Sequence, residues 1–428
     1  MAYASSFLDI TISYSPYEVG DIAIASKSMD ELTLGYSYMP GTSIKNSAGD
    51  IFINSDFVDA DYQKGGMAYS TILHELGHAL GLDHPFSDGY YAGVSINDTI
   101  MSYNSYDGYD SITNNYYSIY SYTSFQEADI AALSSIYTAE TLQSDDTYLL
   151  ADELFSEVIS GYTIPITDNI HTIYDNGGND TLSLLGIDGT SYLDLSSSTQ
   201  SVVVYGDVHH YLNIASQTVI ENIIGSNQND TFVLNGSHNT LDAKAGVDKV
   251  YIESADTLRV DTLGNQILLS SKESGLDTLT NVEQLYVNNL LVDTSLYQRE
   301  QKHYAHETAD DIARLYLSVF DRLSDEAGLD YWINDYTSGT SLKNIAASFV
   351  LSDEFASLYG SSQSSSDYIN LLYQNVLYRD ADGAGLAYWL SEMQNGSSKS
   401  DVLVSFSNSE EFSDLTQPYF QDGNIFLL

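Results

Sequence analysis

The chain has 428 residues, 43% of them hydrophobic, enough for about three domains of ~150 residues with ordinary cores. Lys and Arg number 14 against 60 Asp and Glu, a formal charge of −46, which repels nucleic-acid phosphates and anionic lipid and leaves a self-repelling compact state that calcium ions would relieve. Cysteine is absent, which excludes disulfides and thiol chemistry, and no apolar run reaches the ~18 residues of a membrane span.

The first ten residues carry neither a basic region nor a long apolar stretch, so they do not read as a secretory signal peptide. From Phe7 to Ser26 apolar and polar residues alternate (Ile10, Ile12, Tyr14, Ile22, Ile24), which predicts strands. Leu32 to Gly41 predicts another strand, stopped by Pro40-Gly41, and Gly49 to Asn54 predicts the next. Gly65-Gly66 then opens a helix.

That helix carries the chemistry. It contains His74-Glu75-Leu76-Gly77-His78 and continues through Gly81 to His84. Residues four apart on a helix share a face, so His74 and His78 can share a metal, with Glu75 beside it. Gly81 lets the helix stop and the chain swing His84 back as a third ligand. Three neutral imidazoles suit Zn²⁺ and leave a fourth position open, as in catalytic zinc sites. Met101, seventeen residues beyond His84, lies in the stretch Thr99-Ile100-Met101-Ser102-Tyr103. The other histidines (His171, His209, His210, His238, His303, His306) show no ligand spacing.

The histidine stretch is the full H-E-x-x-H-x-x-G-x-x-H pattern of the metzincins. The Met-x-Tyr form resembles the serralysin branch, secreted bacterial zinc metalloproteases. The resemblance implies a metzincin protease domain over residues 1–141. Met101 would floor the zinc site and Tyr103 would be a switchable fifth ligand. The strand holding Gly35, Tyr36, Ser37 and Tyr38 would be the rim that pairs with an extended substrate peptide. Gln126 to Tyr137 has apolar positions at helical spacing and resembles the helix that closes the domain. Only 73 residues precede His74, where the family usually begins with a long helix, so the N-terminus reads as truncated or abbreviated.

Residues 142–300 alternate short β-type runs (202–205, 219–220, 232–234, 267–269) with Gly/Asn/Asp turns, the mark of many short strands. Tyr174 to Leu182 resembles the serralysin stretch that joins protease to β-roll. By that resemblance Asp175, Gly177, Gly178, Asp180 and Glu221 would bind calcium, a hard cation suited to carboxylates and turn carbonyls. Proper G-G-x-G-x-D-x-U-x (RTX) repeats survive only as remnants around Gly225 to Asp230 and Ala245 to Asp248. A β-sandwich or degenerate roll with few calcium ions is expected.

Residues 301–428 hold an ungapped internal repeat at an offset of 57: Tyr316 to Trp332 aligns with Tyr373 to Trp389. The copies run over about 313–360 and 370–417, each reading as helix, turn, helix, helix. The pattern resembles a helical domain of unknown function often appended to secreted bacterial proteins. Trp332 and Trp389 occupy the same slot, either as core anchors or as a ligand platform. Asp380 to Gly383 hints at a calcium loop. The terminal Asp422 to Leu428 resembles the uncleaved C-terminal signal of type I secretion.

The expectation is therefore a multidomain α+β protein: metzincin domain, β-rich sandwich or degenerate roll, and all-α repeat domain. Its expected function is that of a secreted, monomeric zinc endopeptidase with Glu75 as general base toward a zinc-activated water. Expected cofactors are zinc and calcium, and expected partners are protein or peptide substrates, with a cell-surface or glycan ligand for the repeats. The alternative is a non-catalytic surface or adhesion protein on a retired metalloprotease fold.

Overall fold

A computed structural model describes residues 21–428 other than 31, 42–47, 59–61, 86–92, 111–114, 120, 138–143, 152–168, 197–199, 207, 254–257, 272–274, 307, 361–362 and 422. The strands expected over 7–20, the expected domain limit near 141 and Asp422 of the terminal tail lie outside these residues. The chain divides into two compact units, Met1–Asn235 with Asp242–Val250, and Gly236–Leu241 with Tyr251–Leu428.

The first unit opens with a three-stranded sheet. β1 (Ile24–Lys27) pairs in parallel with β3 (Ile51–Asn54), and β2 (Gly35–Ser37) pairs antiparallel on the other side of β3. The rim strand is thus much shorter than the expected Leu32 to Gly41. Ile51 and Ile53 turn inward toward helix α1 (Met67–Ala79). β2 lies close on that helix, because a Cβ at Gly35 would come within 2.8 Å of Thr71 Cγ2. A hairpin of β4 (Tyr106–Asp110) and β5 (Asn115–Ile119) follows, then helix α2 (Glu127–Tyr137). Leu73, Leu76, Ile100, Met101, Phe125 and Leu133 form the core between these elements.

The chain then winds. β6 (Thr147–Leu149), β8 (Thr181–Ser183) and β12 (Asn222–Ile224) lie in one sheet. β7 (Asn169–Ile173), β9 (Tyr192–Asp194), β10 (Ser201–Tyr205), β11 (Val208–Ile214) and β13 (Thr231–Val233) lie in another. Pairs β6–β8, β8–β12, β9–β13 and β7–β11 are parallel. These parallel pairs between successive coils make a roll, into which β10 is inserted antiparallel between β9 and β11. The run at Val219-Ile220 is not a strand: Val219 is exposed, and the strand begins after Glu221, whose carboxylate binds the Asp180 N–H.

Neighbouring coils are stitched by aspartates. Asp180 Oδ1 accepts the Asp146 N–H at 2.9 Å, Asp230 Oδ1 accepts the Ser191 N–H at 2.9 Å, and Asp248 Oδ1 accepts the Asp230 N–H at 2.7 Å. The worn repeats have kept their acids, and at Asp230 and Asp248 those acids cap backbone.

The second unit contains an antiparallel meander (Arg259–Leu263, Gln266–Ser271, Gly275–Thr280) and a helical part. Each repeat copy holds four helices rather than the three expected. They are α3 (Ala309–Phe320), α4 (Glu326–Thr337), α5 (Leu342–Val350) and α6 (Asp353–Tyr359), then α7 (Ser365–Val376), α8 (Gly383–Gln394), α9 (Lys399–Ser407) and α10 (Glu410–Leu415). Ser352 and Ser409 divide the last stretch of each copy, their hydroxyls capping the next helix.

Contacts repeat with the sequence. Arg322 pairs bidentately with Glu354 and lies over Tyr316; Arg379 does the same with Glu411 and Tyr373. Trp332 packs on Phe349 and Trp389 on Phe406, with ring centroids 5.3 and 5.2 Å apart, so both tryptophans serve the core. Asp382 caps α8 through the Ala384 and Gly385 N–H groups, as Asp325 caps α4, which accounts for the suspected calcium loop. The apolar end of the chain, Asn424–Leu427, is the central strand between Glu300–His303 and Phe420–Gln421, with Ile425 and Phe426 buried. The whole is a mixed α+β protein, with no closed barrel among the described residues.

Candidate metal centre and active site

Helix α1 places His74 and His78 one turn apart, and Gly81, at φ +104°, ends it with an N–H to His78 O bond. The turn returns His84 to the helix face. His74 Nδ1 donates to Ile100 O at 2.7 Å and His78 Nδ1 to Leu82 O at 2.8 Å. A carbonyl can only accept, so both Nδ1 atoms carry the proton and both Nε2 atoms present bare lone pairs in the neutral rings. Each of these Nε2 atoms lies 3.2 Å from His84 Nε2. In a tetrahedral site with Zn–N of about 2.0–2.1 Å, ligand nitrogens sit about 3.3–3.4 Å apart. Burial lowers His74 to about 4 and also lowers His84, so the rings are neutral and ready to ligate near neutral pH. The three residues fit a zinc ion.

Tyr103 Oη lies 2.6 Å from the same His84 Nε2, its ring packs against those of His74 and His84, and the residue is 47% exposed. Met101 is buried beneath the helix, and a Cβ on Gly77 would meet its Sδ at 2.7 Å. The glycine inside the motif is therefore a packing requirement of the methionine floor. Glu75 is buried, which raises its carboxyl above the usual range, while the Ser37 hydroxyl, donating to Oε2 at 2.8 Å, and His78 pull it back down.

Beside the histidines, Asp129 escaped sequence reading. Asp129, 1% exposed in the first turn of α2, accepts from Thr99 Oγ1 at 2.5 Å, Ile100 N at 2.8 Å and Gln126 N at 2.9 Å. It clamps the turn whose Ile100 carbonyl orients His74. Burial lifts its carboxyl to about 6 against those three donors. The available signal was an acid at the start of a helix that follows a Ser-Phe-Gln stretch.

Of the residues expected for calcium, Asp175 and Asp180 converge, joined by Asp146, with carboxylate oxygens within 4.8 Å of one another. Glu221 touches the group through the Asp180 N–H at 2.8 Å. Burial and neighbouring carboxylates raise both Asp180 and Glu221. Gly177 donates its N–H to Asp175 Oδ1 at 3.1 Å. Gly178 sits at φ +126°, where a Cβ would be driven into the Ser144 carbonyl. Asp146 was missed because it lies 29 residues ahead of Asp175, on the preceding coil.

At the rim, Tyr38 N bonds Asp50 O and Asn54 N bonds Leu34 O, so Leu34, Tyr36 and Tyr38 face β3. The N–H and C=O groups of Gly35 and Ser37 therefore point to the other edge, where no strand pairs among the described residues.

Comparison with known proteins supports a serralysin-like relationship over part of the chain. Residues 164–350 match the family model described as Peptidase M10 serralysin C terminal, and residues 346–416 match a domain of unknown function, DUF4214. The chain is 28% identical to Serralysin of Photorhabdus laumondii over 48% of this chain and 45% of that protein. It is 29% identical to Serralysin G of Dickeya chrysanthemi over 50% and 46%, and 28% identical to Serralysin of Proteus mirabilis over 54% and 52%. The matched stretch spans about half the length of these curated relatives. Over that stretch the chain is serralysin-like.

Proposed function

We propose that the protein is a secreted zinc-dependent endopeptidase. The observation that carries this reading is the meeting of three imidazole nitrogens, with the Nε2 atoms of His74 and His78 each 3.2 Å from that of His84 and their protons fixed on the far nitrogen. When bound there, zinc would supply the Lewis acidity that lowers the pKa of a water and polarises the scissile carbonyl. Glu75 takes the proton of the attacking water and returns it to the leaving amine nitrogen. Tyr103 donates its hydroxyl to the carbonyl oxygen as negative charge builds there. Gly35 and Ser37 offer backbone groups to an extended substrate, with Tyr36 and Tyr38 holding the strand from its other edge. Residues 1–141 would be the protease domain, 142–300 a calcium-binding roll, and 301–428 a repeat domain for a cell-surface or glycan ligand. Calcium would sit on Asp175, Asp180 and Asp146, with Glu221 and the Gly177-Gly178 turn beside it.

The test is casein hydrolysis by zinc-loaded protein, abolished by a zinc chelator and restored by zinc. Glu75→Gln should keep its zinc and lose activity by roughly 10²–10⁴-fold. Zinc-replete protein that cuts nothing in a peptide library would instead support a retired protease scaffold used for adhesion.

A further inference from the structure

We infer that Ser37 is a positioning residue for the general base: its side chain holds Glu75 while its backbone meets the substrate. This rests on the endopeptidase reading above and goes beyond it by tying the docking edge to the base.

Side chains alternate along a strand, so Gly35 and Ser37 share the face of β2 that looks onto α1. Thr71 and Glu75 are one turn apart on the helix and look back at them. The missing side chain at Gly35 lets β2 approach until a Cβ there would stand 2.8 Å from Thr71 Cγ2 and 3.0 Å from Phe52 O. At that separation a side chain as short as serine spans the gap, and Ser37 Oγ reaches Glu75 Oε2 at 2.8 Å. Among the described residues this hydroxyl is the side-chain donor on the Glu75 carboxylate. With Oε2 held, the rotamer is fixed and Oε1 remains to handle the proton of the reacting water. The same residue turns its own N–H and C=O to the open edge of the sheet. A peptide paired there is thus referenced to the base through a single residue. Alanine at this position would keep the backbone pairing and lose only the tether.

The test compares zinc-loaded full-length wild type, Ser37→Ala and Ser37→Thr on a cleavable peptide and on a non-cleavable peptide hydroxamate. Zinc content and the position of the Glu75 carboxylate in crystals of each are read alongside. Ser37→Ala should lower kcat by roughly ten- to a hundredfold, the scale of a misplaced catalytic group. KM, hydroxamate affinity and zinc content should stay at wild-type values, and the Glu75 carboxylate should turn from its wild-type rotamer. Ser37→Thr, which returns the hydroxyl, should recover most of kcat. Wild-type kcat in Ser37→Ala overturns the inference, and so does a loss carried by KM, zinc content or melting temperature. A wild-type protein that cleaves no peptide removes the endopeptidase reading and this inference with it, and that outcome is visible before any variant is assayed.

Discussion

Replacing Asp129 with alanine tests how the floor of the site is held. The substitution strands two backbone donors, Ile100 N–H and Gln126 N–H, in a place only 1% exposed. Each stranded buried donor costs about 1–3 kcal/mol, together on the order of 4 kcal/mol. The carboxylate it removes was itself costly. Burial lifts Asp129 from its ordinary 3.8 to about 6, which at about 1.4 kcal/mol per pH unit means about 3 kcal/mol of charge-burial cost above pH 6. The net loss at pH 7 is therefore only about 1 kcal/mol. The sign of the pH dependence follows from the raised pKa. As pH falls through 6 the folded chain takes up the proton before the unfolded chain does, so wild type gains stability, about 1 kcal/mol by pH 5, and the variant does not. Urea unfolding of Asp129→Ala against wild type should give a deficit at pH 5 about 1 kcal/mol larger than at pH 7. With the Ile100 N–H no longer anchored, the turn should hold its carbonyl, and so His74, less firmly and weaken zinc binding by roughly 10–100-fold, measured by chelator competition. An equal deficit at the two pH values, with unchanged zinc affinity, would refute the reasoning.

His210 should act in the opposite direction. Burial, with Lys64 and His209 adding, depresses it to about 3, and burial also lowers His171. Below pH 6.5 the unfolded chain binds protons that these rings refuse, so both destabilise the fold in acid, and His210 costs up to about 2 kcal/mol of stability by pH 5. His210→Gln should flatten that part of the acid profile in urea unfolding, and an unchanged slope would count against it. Gly178→Ala forces a β-carbon into the Ser144 carbonyl at a left-handed φ of +126°; more than about 2 kcal/mol should be lost, with any calcium-dependent rise in melting temperature. An unaltered melt would show that the turn can relax.

The histidine constellation was legible because its chemistry is local: His74, Glu75 and His78 lie on one helix, and His84 follows after a single glycine-made turn. Met101 beneath the helix was expected only from the resemblance of Thr99 to Tyr103 to a Met-turn. Asp129 could not be foreseen, since its role depends on α2 returning beneath Thr99 and Ile100 from 29 residues away, a tertiary fact with only a generic helix-start signal. The alternation of β-type runs foretold many short strands. It misplaced one at Val219-Ile220, where the apolar pair is bent by Glu221 binding the Asp180 N–H. In the helical copies the count was one too low, because a serine cap two residues after a helix end looks like continuation in a periodic pattern. Asp382, suspected of calcium, proved to be such a cap.

The aspartate stitching along the winding strands has a mechanical corollary. Ser191 hangs on Asp230, and Asp230 in turn hangs on Asp248, each acid gripping the main chain of the coil before it. Such an array behaves like a row of linked stitches, each loop secured by its neighbour as well as by the apolar interior. Cutting one at its end should let unravelling travel inward, so the order in which the coils close becomes as decisive as their number.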